Sequence, residues 1–389
     1  MFSKQKKPVT IITGYLGSGK TTVLNEILKN KGIDNIAIIV NDMGSINIDA
    51  SLISNSTLHQ SDVSMVELSN GCICCTLQDT FMKQIEQIAR NKDIDRILVE
   101  ASGISDPSSI AAGFIAYQNM GMCNRIYLDS IVTVVDADRI YSEFLSALEN
   151  DDDIHSDTVT DNCEADSKKE ERTEQDPDII NLVVDQIEFC NTILLNKCDL
   201  LSVDKIQQVR KIIRTLQKEA DIIECIQGKI NPDRIFNNKK FDYDKVLKSS
   251  RIQEQLIKGN SDENDYEHGI SSFVYEEKRP FNYGRFMEFL ENNYPEEIIR
   301  AKGYVWFDDD DIHVQLFEQA GRNASVTIVS NWLAAFDEKE RQKQIEENPE
   351  IEEYWDDKYG DRLNQIVFIG KNYNKHELIV QLNKCISRI

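Results

Sequence analysis

Residues 14–21 read G-Y-L-G-S-G-K-T, and this stretch restricts the fold more tightly than any other in the chain. The spacing G-x-x-x-x-G-K-[ST] cradles phosphate when a strand runs into it and a helix runs out of it. Here the β-branched run VTIIT (9–13) precedes it and TTVLNEILKN (21–30) follows, so both conditions are met. Gly14, Gly17 and Gly19 let backbone N–H groups turn inward around phosphates, and the helix N-terminus adds its positive dipole end. Lys20 is expected to reach the β- and γ-phosphates and Thr21 to bind Mg2+, with Ser18 and Thr22 completing the nucleotide-binding positions.

The base is read further along. The apolar run TILLN (192–196) ends in Asn196-Lys197-Cys198-Asp199. An aspartate placed so accepts hydrogen bonds from guanine N1 and N2, donors that adenine lacks in that pattern, while Asn196 and Lys197 brace this loop and the phosphate loop. GTP is therefore expected in preference to ATP. Asn231, in K-I-N-P, is a further candidate for contact with the base. Between these motifs RILVE (96–100) ends on Glu100, followed at Gly103 by a glycine whose N–H can meet a γ-phosphate. Glu100 suits water-mediated contact with Mg2+ or alignment of the attacking water equally well, and is taken as catalytic with Lys20.

Short β-branched runs alternate with helical stretches through this half: VTIIT, IAIIV (36–40), RILVE, SIVTVVD (130–136) and TILLN. Their nearly unbroken apolar character suits strands buried on both faces. The expected class is α/β, a P-loop GTPase domain with a mostly parallel sheet over residues 8–235. Residues 149–178 interrupt it with 13 Asp/Glu against 3 Lys/Arg, an acidic insertion unable to bury enough apolar surface to order itself. Residues 236–268, polar and poorly periodic, read as a connection. A smaller α+β C-terminal domain follows over 269–389, with strands in ISSFVYEEKRPF, AKGYVWF, HVQLFEQAG, ASVTIVSNW and NQIVFIG and helices in NYGRFMEFLENNY and KHELIVQLNKCISRI.

A formal charge of −23 argues against nucleic acid or an anionic membrane as a general partner. No apolar run approaches the ~20 residues of a membrane span and no secretory signal is evident, so a cytoplasmic protein is expected. In that setting nine cysteines, an odd number, point to reduced thiols rather than a disulfide framework.

Three of the nine fall within four residues, Cys72-Ile73-Cys74-Cys75, between the phosphate loop and Glu100-x-x-Gly103. GTPases carry segments that sense the γ-phosphate in this interval. In extended or turn geometry Cys72 and Cys74 point the same way and a turn after Gly71 can bring Cys75 to them, giving three soft ligands for one Zn2+. A fourth ligand is not adjacent. Asp42, Glu67, His59, a water or a residue of a client protein are the candidates, and an incomplete first shell is what a protein that hands metal on requires. Isolated Cys123, Cys190, Cys198, Cys225 and Cys385 read as buried small hydrophobes, and His313 and His376 as surface or structural residues.

Taken together, GYLGSGKTT, NDMGSINIDA (41–50), ELSNGCICCTL (67–77), EASGISDP (100–107), TVVDAD (133–138) and NKCDL resemble the CobW-type metallochaperone GTPases, as do RAKGYVWF (300–307), QAG (319–321) and GDRLNQIVFIG (360–370). The likeness covers nearly the whole chain outside the acidic insertion. N-D-M and N-I-D-A look closest to the branch associated with bacterial zinc starvation; the Cys-Pro docking motif of the branch that serves methionine aminopeptidase is missing from MFSKQKKPVTIITG. The resemblance implies zinc at Cys72, Cys74 and Cys75, phosphate and Mg2+ at Lys20 and Thr21, the E-x-x-G role at Glu100, and guanine at Asn196, Lys197 and Asp199. Ser45, where relatives often carry a second acidic residue, argues against a carboxylate-rich auxiliary site, and five histidines are too few for bulk metal storage.

These readings converge on a slow GTPase that couples zinc custody to nucleotide state and delivers Zn2+ to a client metalloprotein. A non-catalytic zinc sensor and a Co2+ or Ni2+ chaperone for cofactor maturation are the alternatives. The client, the hydrolysis rate and whether the chain assembles as a homo-oligomer are not written in the chain.

Overall fold

In the computed structural model the first half of the chain builds a sheet in which every ladder is parallel, in the order β3-β2-β4-β1-β5-β6-β7. The described residues are 6–29, 35–40, 63–67, 78–145, 177–236, 241–250, 252, 264–266, 270–321, 323–348 and 351–388. The strands are β1 (Lys7–Thr13), β2 (Ile36–Val40), β3 (Val63–Glu67), β4 (Arg96–Glu100), β5 (Ile126–Asp136), β6 (Thr192–Asn196) and β7 (Asp221–Glu224). Helices α1 (Lys20–Leu28), α2 (Gln78–Ile88), α3 (Pro107–Asn119), α4 (Ala137–Phe144), α5 (Pro177–Glu188) and α6 (Val203–Leu216) connect them. The all-apolar pattern of β2 and the apolar centre of β6 have their cause here, since every residue of both strands is buried. Val23, Leu24 and Ile27 of α1 pack with Ile12, Ile38, Leu98, Val134 and Leu194 of the sheet as one apolar core.

Because all strands run one way, the segments that follow β1, β4 and β6 leave from the same carboxyl edge. Strand order also reverses about β1, whose neighbours are β4 on one side and β5 on the other, and open α/β sheets bind ligands at such a switch point.

The second half forms a six-stranded antiparallel sheet, β12-β11-β10-β13-β9-β8. Its strands are β8 (Asn264–Tyr266), β9 (Ile270–Glu277), β10 (Ile298–Val305), β11 (His313–Ala320), β12 (Asn323–Asn331) and β13 (Asn364–Lys371). Two helices, α8 (Tyr283–Asn292) and α11 (Lys375–Cys385), supply Phe286, Phe289, Leu378 and Leu382 to a core shared with Phe273, Phe317 and Phe368 of the sheet. Phe281, Phe286, Phe307 and Phe317 form a chain of stacked and edge-on rings inside it. Short helices α9 (Glu338–Glu347) and α10 (Ile351–Tyr354) precede β13.

The stretch read as a connection carries two further elements, α7 (Tyr243–Ser249) and β8. Asp242 caps α7 by accepting from Lys245 N at 3.0 Å, and Val246 is its buried anchor, too little apolar surface to show a periodicity. The chain divides into two compact units, Met1–Glu164 with Leu182–Arg251 and Ala165–Asn181 with Ile252–Ile389. The acidic insertion lies outside the described residues except at Pro177 and Asp178, which open α5. No described helix is long and apolar enough to cross a membrane.

Gly303 shows how closely β10 meets β13. A Cβ built there falls 2.0 Å from the Gln365 carbonyl oxygen and 2.5 Å from Ile366 Cα, both backbone atoms of the neighbouring strand. Gly303→Ala should therefore destabilise the second unit by roughly 3 kcal/mol, lowering its melting temperature by about 10 °C or more. Calorimetry would show this as a shift confined to one transition, with GTP binding retained.

Candidate nucleotide site at the carboxyl edge of the parallel sheet

The phosphate loop fills the gap between the end of β1 and the start of α1. Two of its glycines are required by close approach as well as by backbone conformation. At Gly14 (φ +136°) a Cβ would lie 2.3 Å from the Val134 carbonyl oxygen of β5, and at Gly19 (φ +102°) 2.3 Å from Asn196 Nδ2. Gly19 is also the residue from which α1 departs, so the first N–H groups of the helix face the loop.

Lys20, 8 % exposed, donates from Nζ to the Gly14 carbonyl at 2.7 Å and to that of Tyr15 at 3.4 Å, which holds its charge over the loop. The neighbouring Thr21 Oγ1 donates to Glu100 Oε1 at 3.4 Å. Glu100, 3 % exposed, ends β4 in register with Ile12 of β1 and Val40 of β2, so the sheet itself carries this carboxylate to the loop. A threonine hydroxyl and a buried carboxylate oxygen side by side form an oxygen donor set of the kind a hard cation takes, and the residues fit Mg2+.

Asn196, at the end of β6, ties three segments together. Its Nδ2 donates to the Ser18 carbonyl at 2.9 Å, and its Oδ1 accepts from Gly228 N at 3.1 Å. Lys197 takes a left-handed conformation (φ 60°) and pairs with Asp136 Oδ2 at 2.6 Å instead of reaching the phosphate loop. Asp136 is committed as well to capping α4, through Asp138 N and Arg139 N. The sharp turn at Lys197 leads into a one-turn 3-10 helix, Cys198–Leu200, in which Cys198 is buried and the Asp199 carboxylate is exposed. Asn231 acts locally, capping the 3-10 turn at Pro232–Arg234 by accepting from Asp233 N at 3.0 Å.

Beyond Glu100 the chain folds tightly under the phosphate loop. A Cβ at Gly103 would lie 2.9 Å from Leu16 Cδ2 and 3.0 Å from Leu16 N, so this glycine admits the loop's backbone. Gln186 of α5 fixes the turn, donating from Nε2 to the carbonyls of Gly103 and Ser105, both at 3.1 Å, while its own carbonyl accepts from Thr133 Oγ1. The motif reading passed over Gln186 and Asp136. The signal for Gln186 was an amide on the apolar stripe of α5, beside the buried Val183, Val184 and Ile187.

Cys72, Cys74, Cys75, Asp42 and His59 lie outside the described residues. The chain leaves β2 at Val40 and β3 at Glu67, both on the edge that carries Lys20 and Glu100, and Cys72 follows five positions after Glu67. Among the described residues no cluster of His, Cys, Asp and Glu could hold a metal ion. The described cysteines, Cys123, Cys190, Cys198, Cys225 and Cys385, are all buried and free. Burial pushes the thiols of Cys190 and Cys225 up to about 12 and those of Cys123 and Cys385 up to about 11, so they stay protonated near neutral pH. His313 is held by Asp310, with Nδ1 3.0 Å from Oδ2.

Residues 8–224 match the family described as CobW/HypB/UreG, nucleotide-binding domain, and residues 270–386 match the cobalamin synthesis protein cobW C-terminal domain. The chain is 32% identical to zinc-regulated GTPase metalloprotein activator 1 of Dictyostelium discoideum, over 98% of this chain and 80% of that protein. It is 31% identical to the zinc chaperone CobW of Pseudomonas aeruginosa over 58% of each chain. With the zinc chaperone YjiA of Escherichia coli it shares 25% identity, over 78% of this chain and 82% of that one.

Proposed function

The chain belongs to the CobW/HypB/UreG family, and from that premise we propose that it is a GTP-hydrolysing metallochaperone that holds Zn2+ through Cys72, Cys74 and Cys75 and delivers it to a client metalloprotein. The observation that carries this reading is the convergence on one sheet edge of Lys20, Thr21, Glu100, Asn196 and Asp199, with β3, which precedes the C-x-C-C segment in the chain, ending at that same edge.

The division of labour follows from the geometry. The Gly14–Thr21 backbone and the α1 N-terminus cradle the β- and γ-phosphates. Lys20 exchanges its carbonyl partners for phosphate oxygens and neutralises charge as the bond to the γ-phosphorus breaks. Thr21 and Glu100 would hold Mg2+, which when bound offsets the negative charge of the phosphates. Gly103 N–H answers to the γ-phosphate, and Gln186 holds the carbonyl on the other side of the same residue. Asp199 reads guanine from a turn that Asn196 links to the phosphate loop, so base and phosphate are sensed by one connected frame. An arginine finger is not evident in the sequence, so intrinsic turnover is slow.

Release follows hydrolysis because the cysteine segment lies between β3 and α2, upstream of the Glu100–Gly103 turn that answers to the γ-phosphate. The test uses protein loaded with one equivalent of Zn2+ and an excess of a chromogenic chelator as acceptor. A single turnover of GTP should accelerate zinc release, whereas a non-hydrolysable analogue should hold it. Equal release rates with the two nucleotides would leave a sensor and not a carrier.

A further inference from the structure

The chain carries 67 acidic against 44 basic side chains, so any place where only cations gather departs from its surroundings. One such place is an open cleft of about 1250 Å³ in the second unit, lined by Arg279, Arg285, Lys358, Lys384 and Arg388. No carboxylate lines it among the described residues. Acidic groups touch it at the margin, where Glu277 holds Arg279 in a two-pronged pair, Asp308 accepts from the Ser387 hydroxyl, and Asp356, paired with Lys278, accepts from the backbone N–H groups of Lys358 and Tyr359.

Two of the five cations have structural work. Arg279 is taken by Glu277, and Arg285 Nη1 donates to the carbonyls of Lys384 and Ile386 at 3.2 and 2.9 Å, closing the C-terminal end of α11. The other three are exposed and have no acidic partner among the described residues. Lys358 donates to the Tyr359 hydroxyl and Lys384 to Gln381 Oε1, both neutral acceptors. Between the cations the wall is mixed, with the ring of Tyr359 and the side chains of Val380 and Ile386 as its apolar part and Asn383 and Ser387 as its polar part.

We propose that this cleft docks a short acidic segment of a partner protein, its carboxylates meeting Lys358, Lys384 and Arg388 and its apolar side chains meeting Tyr359, Val380 and Ile386. Charge complementarity selects the sign of the ligand, and the rest of the chemistry selects its class. A long polyanion such as RNA is repelled by the formal charge of −23, whereas a short segment meets only the local field. Separate carboxylates along a peptide can each find one cation, and the apolar part of the wall has a use only for a ligand with side chains. The assignment concerns the second unit alone and does not depend on metal delivery.

The probe is a short fluorescein-labelled peptide of aspartate and glutamate with two leucines, titrated with the full chain at low salt and followed by anisotropy. Saturable binding is expected, weakened at least about tenfold by the triple change Lys358→Glu, Lys384→Glu, Arg388→Glu. GTP hydrolysis and melting temperature should be unchanged by it, and Lys211→Glu on α6 should leave peptide binding intact. If the charge-reversed chain melts early, Lys358→Gln, Lys384→Gln, Arg388→Gln takes its place with the same expectation. Absence of saturable binding, equal binding by the folded triple variant, or equally tight binding of a labelled oligouridylate through the same three residues would overturn the proposal.

Discussion

Lys20→Ala should lower the rate of GTP hydrolysis by about 10²–10³-fold, the loss seen when one preorganised charge-stabilising donor is removed from a transition state. The residue is set up for this effect. Its Nζ is held over the loop by the carbonyls of Gly14 and Tyr15, so the charge stands beside the phosphate position before phosphate arrives and only its hydrogen-bond partners change. Alanine keeps the helical backbone at the start of α1 and leaves Gly14, Gly19 and the Asn196 tie in place. The melting temperature should therefore change little while single-turnover hydrolysis collapses. A loss of less than tenfold would remove Lys20 from the chemistry and leave it a loop brace.

Asp199→Asn should weaken GTP binding by about 10²-fold. Two hydrogen bonds from guanine N1 and N2 to a charged acceptor contribute roughly 1.5–3 kcal/mol each, and asparagine retains one acceptor while turning an amide donor toward the second. Because the Asp199 carboxylate is exposed on its turn, the substitution should not disturb folding. The same exchange creates a complement for xanthine, which carries a carbonyl where guanine has its amine. Titration with both nucleotides should show GTP affinity falling while xanthosine triphosphate affinity rises. A variant that loses both equally would place Asp199 in the architecture of the turn and not in base reading.

Those two residues stood out in the sequence because their chemistry fixes their spacing. A phosphate cradle needs its glycines, lysine and threonine at set intervals between strand and helix, and β1 and α1 stand on either side of it. The apolar runs were equally plain, since a strand covered on both faces has no polar residue to interrupt it, as in β2 and β6. Among the elements passed over were the helices α3, α4 and α5, β3 and β7, the short edge strands of the sheet, and α7 and β8, whose brevity leaves no period to detect.

Tertiary partnerships were the other hidden class. That Lys197 turns to Asp136, or that Gln186 bolts down Gly103 and Ser105, depends on groups between 61 and 83 positions apart meeting in space. Asn231 illustrates the reverse case. An asparagine before Pro232 suits base contact and helix capping equally in sequence, and the fold uses it as a cap. Such choices are made by the neighbours a side chain acquires, and local sequence does not contain them.

The central claim is that zinc is held by Cys72, Cys74 and Cys75 and that its grip follows the nucleotide. It is tested most directly by competition titration of Zn2+ against a chelator of known affinity, on the full chain and on the chain carrying Cys72→Ser, Cys74→Ser and Cys75→Ser, each with GDP and with a non-hydrolysable GTP analogue. Tight zinc binding by the unaltered chain, differing between the two nucleotides, is expected, with loss of both the affinity and the difference in the serine variant. Zinc affinity unchanged by the three substitutions in both nucleotide states would contradict it.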